Sequence, residues 1–298
     1  MSLASRLFCA MCEPGDKKKN EGLGTPADIE RFDDIPYGAD PIWNVLDVYR
    51  PKDIPGPLPT IIDVHGGGWV YGDKEVYQFY CMSLAQQGFV VVNFSYRLAP
   101  KDTFPAAMQD MNAVVEHTLA NADRYGADTS RVFLVGDSAG AHMAAMYACL
   151  CTNPSYPSCV GVTPPAGFVP TALALNCGIY DMQELMAGKG PLLSFLKPMV
   201  KDLLGTRRPS EEQLDVLSPV HYVTPAFPPA YVMTATGDFL IGQPDYLLPV
   251  LEANGIAHEF KIYGTQENKL PHVFHCNLRL AEAAQCNREE MDFFKTYC

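Results

Sequence analysis

Residues 132–148 read VFLVGDSAGAHMAAMYA: a β-branched and aromatic run, a glycine-spaced Gly136-Asp137-Ser138-Ala139-Gly140, then a stretch rich in Ala and Met. The run predicts a buried strand and the stretch after it a helix. Joined directly, they force a turn whose tip holds a strained backbone, so the positions two before and two after the tip need glycine-sized side chains. A side chain at that tip stands at the end of a sheet, beside the N–H groups of the following helix. Ser138 is therefore a candidate nucleophile. A phosphate-binding turn is the rival reading, but neither G-x-x-x-x-G-K-[ST] nor G-x-G-x-x-G accompanies the serine.

The rest of the chain alternates in the same rhythm. NVLDVYRP, PTIIDVHGGG, FVVVNFSY, TALALNCGIYD, PAYVMTATGD and AHEFKIYG read as strands. DKEVYQFYCMSLAQQG, FPAAMQDMNAVVEHTLANADRYG, PDYLLPVLEANG and the C-terminal NLRLAEAAQCNREEMDFFKTYC read as helices. Apolar strands between amphipathic helices predict an α/β fold, a mostly parallel twisted sheet with helices on both faces. Ligands of such sheets bind beyond the carboxyl ends of the strands. Residues 183–226 are too long for a simple crossover and read as a small lid-like insertion, with PLLSFLKPMVKDLLG as its helix. The expected organisation is an N-terminal tail or short docking segment over 1–40 and one catalytic domain over 41–298.

A serine nucleophile needs amide donors, a base and an acid. VHGGGWVYGDK supplies three glycines after a strand, Gly66, Gly67 and Gly68, whose N–H groups can turn to a substrate oxygen. His65 abuts these glycines and reads as an anchor of their loop. In YGTQENKLPHVFHCNLRL, His272 is expected as the base, in a loop stiffened by Pro271, while His275 is expected to begin the last helix. Asp238 follows the PAYVMTATGD strand and is the favoured acid; Asp181 and Asp245 are its rivals, the latter placed where a cap would explain it.

These stretches in order, with NFSYRLAP, FPAAMQD, SPVHYV and LPHVF, resemble the α/β-hydrolase superfamily, and more narrowly its hormone-sensitive-lipase-like and bacterial acetyl-esterase branch, over residues 45–298. The resemblance implies the α/β-hydrolase fold and a carboxylesterase with Ser138 as nucleophile, His272 as base, Asp238 as acid and the amides of Gly67, Gly68 and Ala139 as oxyanion donors. This chain departs from many relatives at Ala141, where they carry a further glycine, and at GDFLIGQ, where they carry an Asp-Pro-Leu motif. The expected substrate is a small-molecule ester of short, acetyl-type acyl groups, with carbohydrate and feruloyl esters included. An arylformamidase-like amide hydrolase and a non-catalytic binding protein on the same scaffold are the alternatives. Trp69, Tyr71, Tyr180, Phe195 and Leu196 are expected to line the substrate pocket.

Bulk properties narrow the partners. A formal net charge of −12 argues against nucleic acid and anionic membranes. No apolar stretch reaches the roughly 18 residues that span a bilayer, and LFCAMC near the N-terminus is short for a signal-peptide core. Stable membrane insertion is not expected, and a homo-oligomer stays open. Ten cysteines, several in predicted core elements, read as free thiols of a cytoplasmic protein. Cys9 and Cys12 form a C-x-x-C with no partner pair of zinc spacing, so neither metal nor organic cofactor is expected.

Overall fold

The computed structural model describes residues 1–156 and 160–298; Pro157 of the loop NPSYP and Cys159 lie outside them. Eight strands form one sheet: β1 (Ile29–Pro36), β2 (Val45–Pro51), β3 (Leu58–Val64), β4 (Val90–Phe94), β5 (Ala127–Asp137), β6 (Leu173–Asn176), β7 (Ala230–Ala235) and β8 (His258–Tyr263), ordered β1-β2-β4-β3-β5-β6-β7-β8. β1 pairs with β2, and β2 with β4, antiparallel; all other neighbours are parallel. This is the α/β-hydrolase fold. β1 (IERFDDIP) was not legible as a strand because charged residues interrupt its apolar positions, and it places residues 29–36 within the sheet.

Strand register sorts the core onto two faces. Ile61, Val91, Phe133, Val135, Tyr231 and Met233 point to α2 (Lys74–Ala85) and α10 (Ala281–Lys295), while Ile62, Val92, Leu134, Leu175 and Val232 point to the other helices. On that second side lie α3 (Ala106–Ala120), α5 (Ala139–Thr152) and α9 (Pro244–Ala253), with the short α4 (Ala122–Tyr125) before β5. α5 is buried on every face as far as Cys149, which explains its small Ala side chains: a helix apolar all round belongs inside. β4 and β5 lie on opposite sides of β3, so the sheet's topological switch point falls there, and a crevice opens at the carboxyl ends of β3 and β5.

Residues between β6 and β7 fold as α6 (Met182–Ala187), α7 (Pro191–Leu204) and α8 (Glu211–Val216). The N-terminal segment is a helix, α1 (Leu3–Asn20), packed on α7 and α2. The Ser2 N–H and the Ser5 hydroxyl both donate to Asp202 Oδ2 at 2.7 Å, which fixes the start of α1 to the end of α7. His275 does not begin the last helix: it is buried in a single turn over 274–276, its ring edge-on to Tyr80, and α10 starts at Ala281. Among the described residues, no helix is long and apolar enough to cross a membrane, and the nine cysteines are free.

One core feature sets a stability expectation. Glu290 of α10 is fully buried, accepts a hydrogen bond from Asn176 Nδ2 at 2.8 Å, and burial pushes its carboxyl up to about 8. Its folded-state pKa lies above the unfolded value, so the native state keeps a proton that the unfolded chain gives up. Stability from this group is complete below the unfolded pKa and is lost as pH rises through about 8. The loss is at most ~1.4 kcal/mol per pH unit. Thermal melts should therefore show the melting temperature falling from mildly acidic to mildly alkaline pH, and Glu290→Gln should flatten that slope and melt higher at the alkaline end.

Candidate active site

Four strand ends build the site. Ser138, at the junction of β5 and α5, has φ 52° and ψ −114°, the strained turn expected at a strand-to-helix tip. A Cβ on Gly140 would sit 1.7 Å from the Val64 carbonyl oxygen, and one on Gly136 would sit 2.6 Å from Gly140, so both glycines are required by space alone. The Ser138 N–H donates to the Asn176 carbonyl at 2.8 Å, tying the tip to the end of β6. Trp69, Cys177 and Val273 also have positive φ, and each follows a strand that ends at the site. Such strain persists where surrounding structure imposes it, which is a mark of functional loops.

Asp238 follows β7 and His272 follows β8. Their contact is close: His272 Nδ1 lies 2.7 Å from Asp238 Oδ1. Asp238 also accepts from the Leu240 N–H at 2.8 Å and from the Thr234 hydroxyl at 2.9 Å. Burial works to raise the Asp238 pKa, but the His272 charge and these hydrogen bonds outweigh it, leaving the carboxyl below its ordinary range. Phe239 packs on the His272 ring at 4.3 Å between centroids. His272 and Ser138 line one cavity of about 290 Å³, although no hydrogen bond joins the two side chains in this structure. A larger groove of about 770 Å³, lined by Met1, Trp43, Val70 and Leu98, shares only Tyr71 with that cavity and holds none of these residues.

The glycine loop after β3 borders the same cavity through Gly66 and Gly67. Gly67 has φ +115° and a Cβ there would meet the Tyr71 carbonyl oxygen at 2.0 Å, so only glycine fits. Asp137 fastens this loop to the serine turn: its carboxylate accepts from the Gly66 N–H at 3.0 Å and from the Tyr77 hydroxyl at 2.9 Å. Full burial pushes Asp137 up to about 6, against the opposing pull of Tyr77 and His272. His65 stacks on Tyr96 at 4.0 Å, and its Nδ1 lies 2.7 Å from the Gly66 carbonyl oxygen, so its contacts are those of a loop anchor. Burial lowers its pKa to about 4, which keeps the ring neutral. Gly68 lies under the insertion, where a Cβ would meet Met199 Sδ of α7 at 3.0 Å. Ala139, the first residue of α5, is fully buried.

The rival carboxylates have other work. Asp181 caps α6 by accepting from the Glu184 N–H at 2.9 Å. Asp245 stands in the first turn of α9, one residue past Pro244, and Gln243 occupies the cap position. Of the expected pocket residues, Tyr71 lines the cavity. Trp69 is instead buried edge-on against His142, Leu196 packs in the core, and Tyr180 is fully buried with its hydroxyl on the Leu175 carbonyl. Phe195 is half-buried on α7 and does not line the cavity. Sequence reasoning missed the opposite wall, which α1 supplies through Phe8, Met11, Cys12, Asp16 and Lys19. Its one available signal was the apolar LFCAMC patch followed by charge, a pattern that also fits an exposed tail. Cys177, Asp238 and His272 each bring a ligand atom within 4.8 Å of the others, the trio among the described residues with metal-ligand spacing. Two of them are engaged with each other, His272 Nδ1 on Asp238 Oδ1, and the Cys177 thiol lies 4.0 Å from Met233 Sδ.

Comparison with known proteins converges on one group. The BD-FAE family profile matches residues 46–244. Esterase LipC of Mycobacterium tuberculosis is 30% identical over 231 residues, covering 76% of this chain and 54% of LipC. The chain spans about half the length of the curated relatives it matches. Esterase B from Lactobacillus rhamnosis superposes with a TM-score of 0.88 at 28% identity, covering 98% of this chain and 93% of that one. The same esterase with a C4-C4 SN3 tributyrin phosphonate superposes at 0.87, with 28% identity over 98% and 94% of the two chains.

Proposed function

Because the chain belongs to the BD-FAE family of α/β-hydrolase-fold esterases, we propose that it is a serine carboxylesterase of short-chain, acetyl-type esters, carbohydrate esters among them. The observation that carries this reading is the meeting of a strained Ser138 and an Asp238-bound His272 on one cavity beside a glycine loop. Asp238 fixes the imidazole with a proton on Nδ1, which leaves Nε2 free to accept. Nε2 takes the Ser138 proton as Oγ attacks the ester carbonyl. The developing oxyanion is held by the N–H groups of Gly67, Gly68 and Ala139. His272 then gives its proton to the leaving alkoxide, and water repeats the sequence on the acyl-enzyme. The serine–histidine hydrogen bond tightens when substrate enters, as such bonds do.

A cavity of about 290 Å³ lies at the small end of ligand pockets, which supports short acyl groups. Esterase B, with its tributyrin phosphonate, gives the same direction. Residues 183–226 act as a cap, since α7 sits over Gly68 and holds α1 in place. A series of p-nitrophenyl esters tests the reading: acetate and butyrate should be turned over, with kcat/KM falling steeply beyond about eight acyl carbons. A preference for long chains would reject it. Gly67→Ala tests the amide donors. Its Cβ must displace the Tyr71 carbonyl, so kcat on p-nitrophenyl butyrate should fall on the order of 10²–10³-fold with KM little changed.

A further inference from the structure

The wall that α1 presents to Ser138 and His272 is chemically uneven. Phe8 and Met11 make its start apolar, but Asp16 and Lys19 line the same cavity further along the helix. Lys19 Nζ lies 2.7 Å from Asp16 Oδ1, with side chains only 16% and 20% exposed. Tyr71, which follows the glycine loop, donates its hydroxyl to Asp16 Oδ2 at 2.8 Å, and the Lys19 ammonium stands 5.2 Å from the centre of the Tyr77 ring. These contacts leave capacity unused. The ammonium has further N–H groups, each carboxylate oxygen a further lone pair, and the Tyr71 oxygen an acceptor site.

Donors and acceptors thus stand side by side on a half-buried surface. A hydroxyl uses both kinds. An alkyl group placed there would strip water from a charged pair and return no hydrogen bond. A carboxylate would meet the Asp16 charge. The array shares one cavity with both Ser138 and His272. In ester hydrolysis the leaving alcohol takes its proton from the histidine, so the alcohol part of the ester enters the cavity that this array lines.

We propose that Asp16, Lys19 and Tyr71 form a specificity element selecting esters whose alcohol part carries adjacent hydroxyl groups, an inference that rests on the hydrolase reading above. The test compares 2,3-dihydroxypropyl acetate with pentyl acetate, which share the acyl group and the heavy-atom count of the alcohol. The intact protein should favour the diol ester in kcat/KM by about tenfold or more. Lys19→Met and Asp16→Asn should bring the ratio toward one through a higher KM for the diol ester, and Lys19→Arg should keep most of the preference. Equal efficiency on the two esters by the unmodified protein would overturn the inference, as would variants that lose both activities in equal proportion. Turnover of neither these esters nor p-nitrophenyl acetate would instead overturn the hydrolase reading, and the selectivity with it.

Discussion

Ser138→Ala is expected to lower kcat on p-nitrophenyl butyrate by on the order of 10⁴–10⁶-fold. In the proposed mechanism the substitution removes the attacking atom and leaves the N–H groups of Gly67, Gly68 and Ala139 in place, so a residue of catalysis over water should survive. Structure should be spared. Alanine is smaller than serine, and its backbone has the same restrictions at φ 52°. Its melting curve should accordingly lie close to that of the parent, which separates loss of chemistry from loss of fold. A comparable loss is expected for His272→Gln, and the double variant should be little worse than either, because the two side chains act as one unit.

Asp238→Asn should have the next largest effect, a fall in kcat of about 10⁴-fold at neutral pH. The carboxylate accepts at three positions: His272 Nδ1, the Leu240 N–H and the Thr234 hydroxyl. An amide replaces one acceptor oxygen with a donor. If that NH₂ faces His272, the ring must carry its proton on Nε2, and a protonated Nε2 cannot take the serine proton. The asparagine keeps shape and volume, so the loss measures tautomer control and the lost charge. Asp238 lies below its ordinary carboxylate range, so it stays ionised wherever an imidazole titrates. The acid limb of the parent's pH–rate profile should therefore not be governed by Asp238. Steady-state kinetics of parent and variant across pH would check both points.

How much of this was legible in the sequence depends on what kind of contact fixes each residue. The turn around Ser138 was readable because a strained strand-to-helix tip needs small neighbours: Gly136 is required by the backbone of Gly140 and Ala141 within the motif, and Gly140 by the Val64 carbonyl of the adjacent strand. Asp238 and His272 were readable because chain order places them after particular strands, and their contact was then a consequence of the parallel sheet. The pocket wall was not. Trp69 and Tyr180 resemble pocket residues in composition, yet whether an aromatic ring faces a cavity or the core depends on helices packed from elsewhere. The position of α1 depends on contacts between residues about 200 apart, as in Ser5 with Asp202, which no local periodicity encodes. β1 escaped notice for a related reason, since its pairing with β2 at the sheet edge demands little apolar surface. His275 and Glu290 are polar residues in the core, where tertiary packing overrides the usual preference for the surface.

The most direct test is covalent. The purified protein is treated with a fluorophosphonate, and the adduct is located by intact mass and peptide mapping. One equivalent on the peptide carrying Ser138, with labelling slowed strongly by His272→Gln, is the expected result. A folded protein that takes no label, or takes it on a residue other than Ser138, would contradict the account.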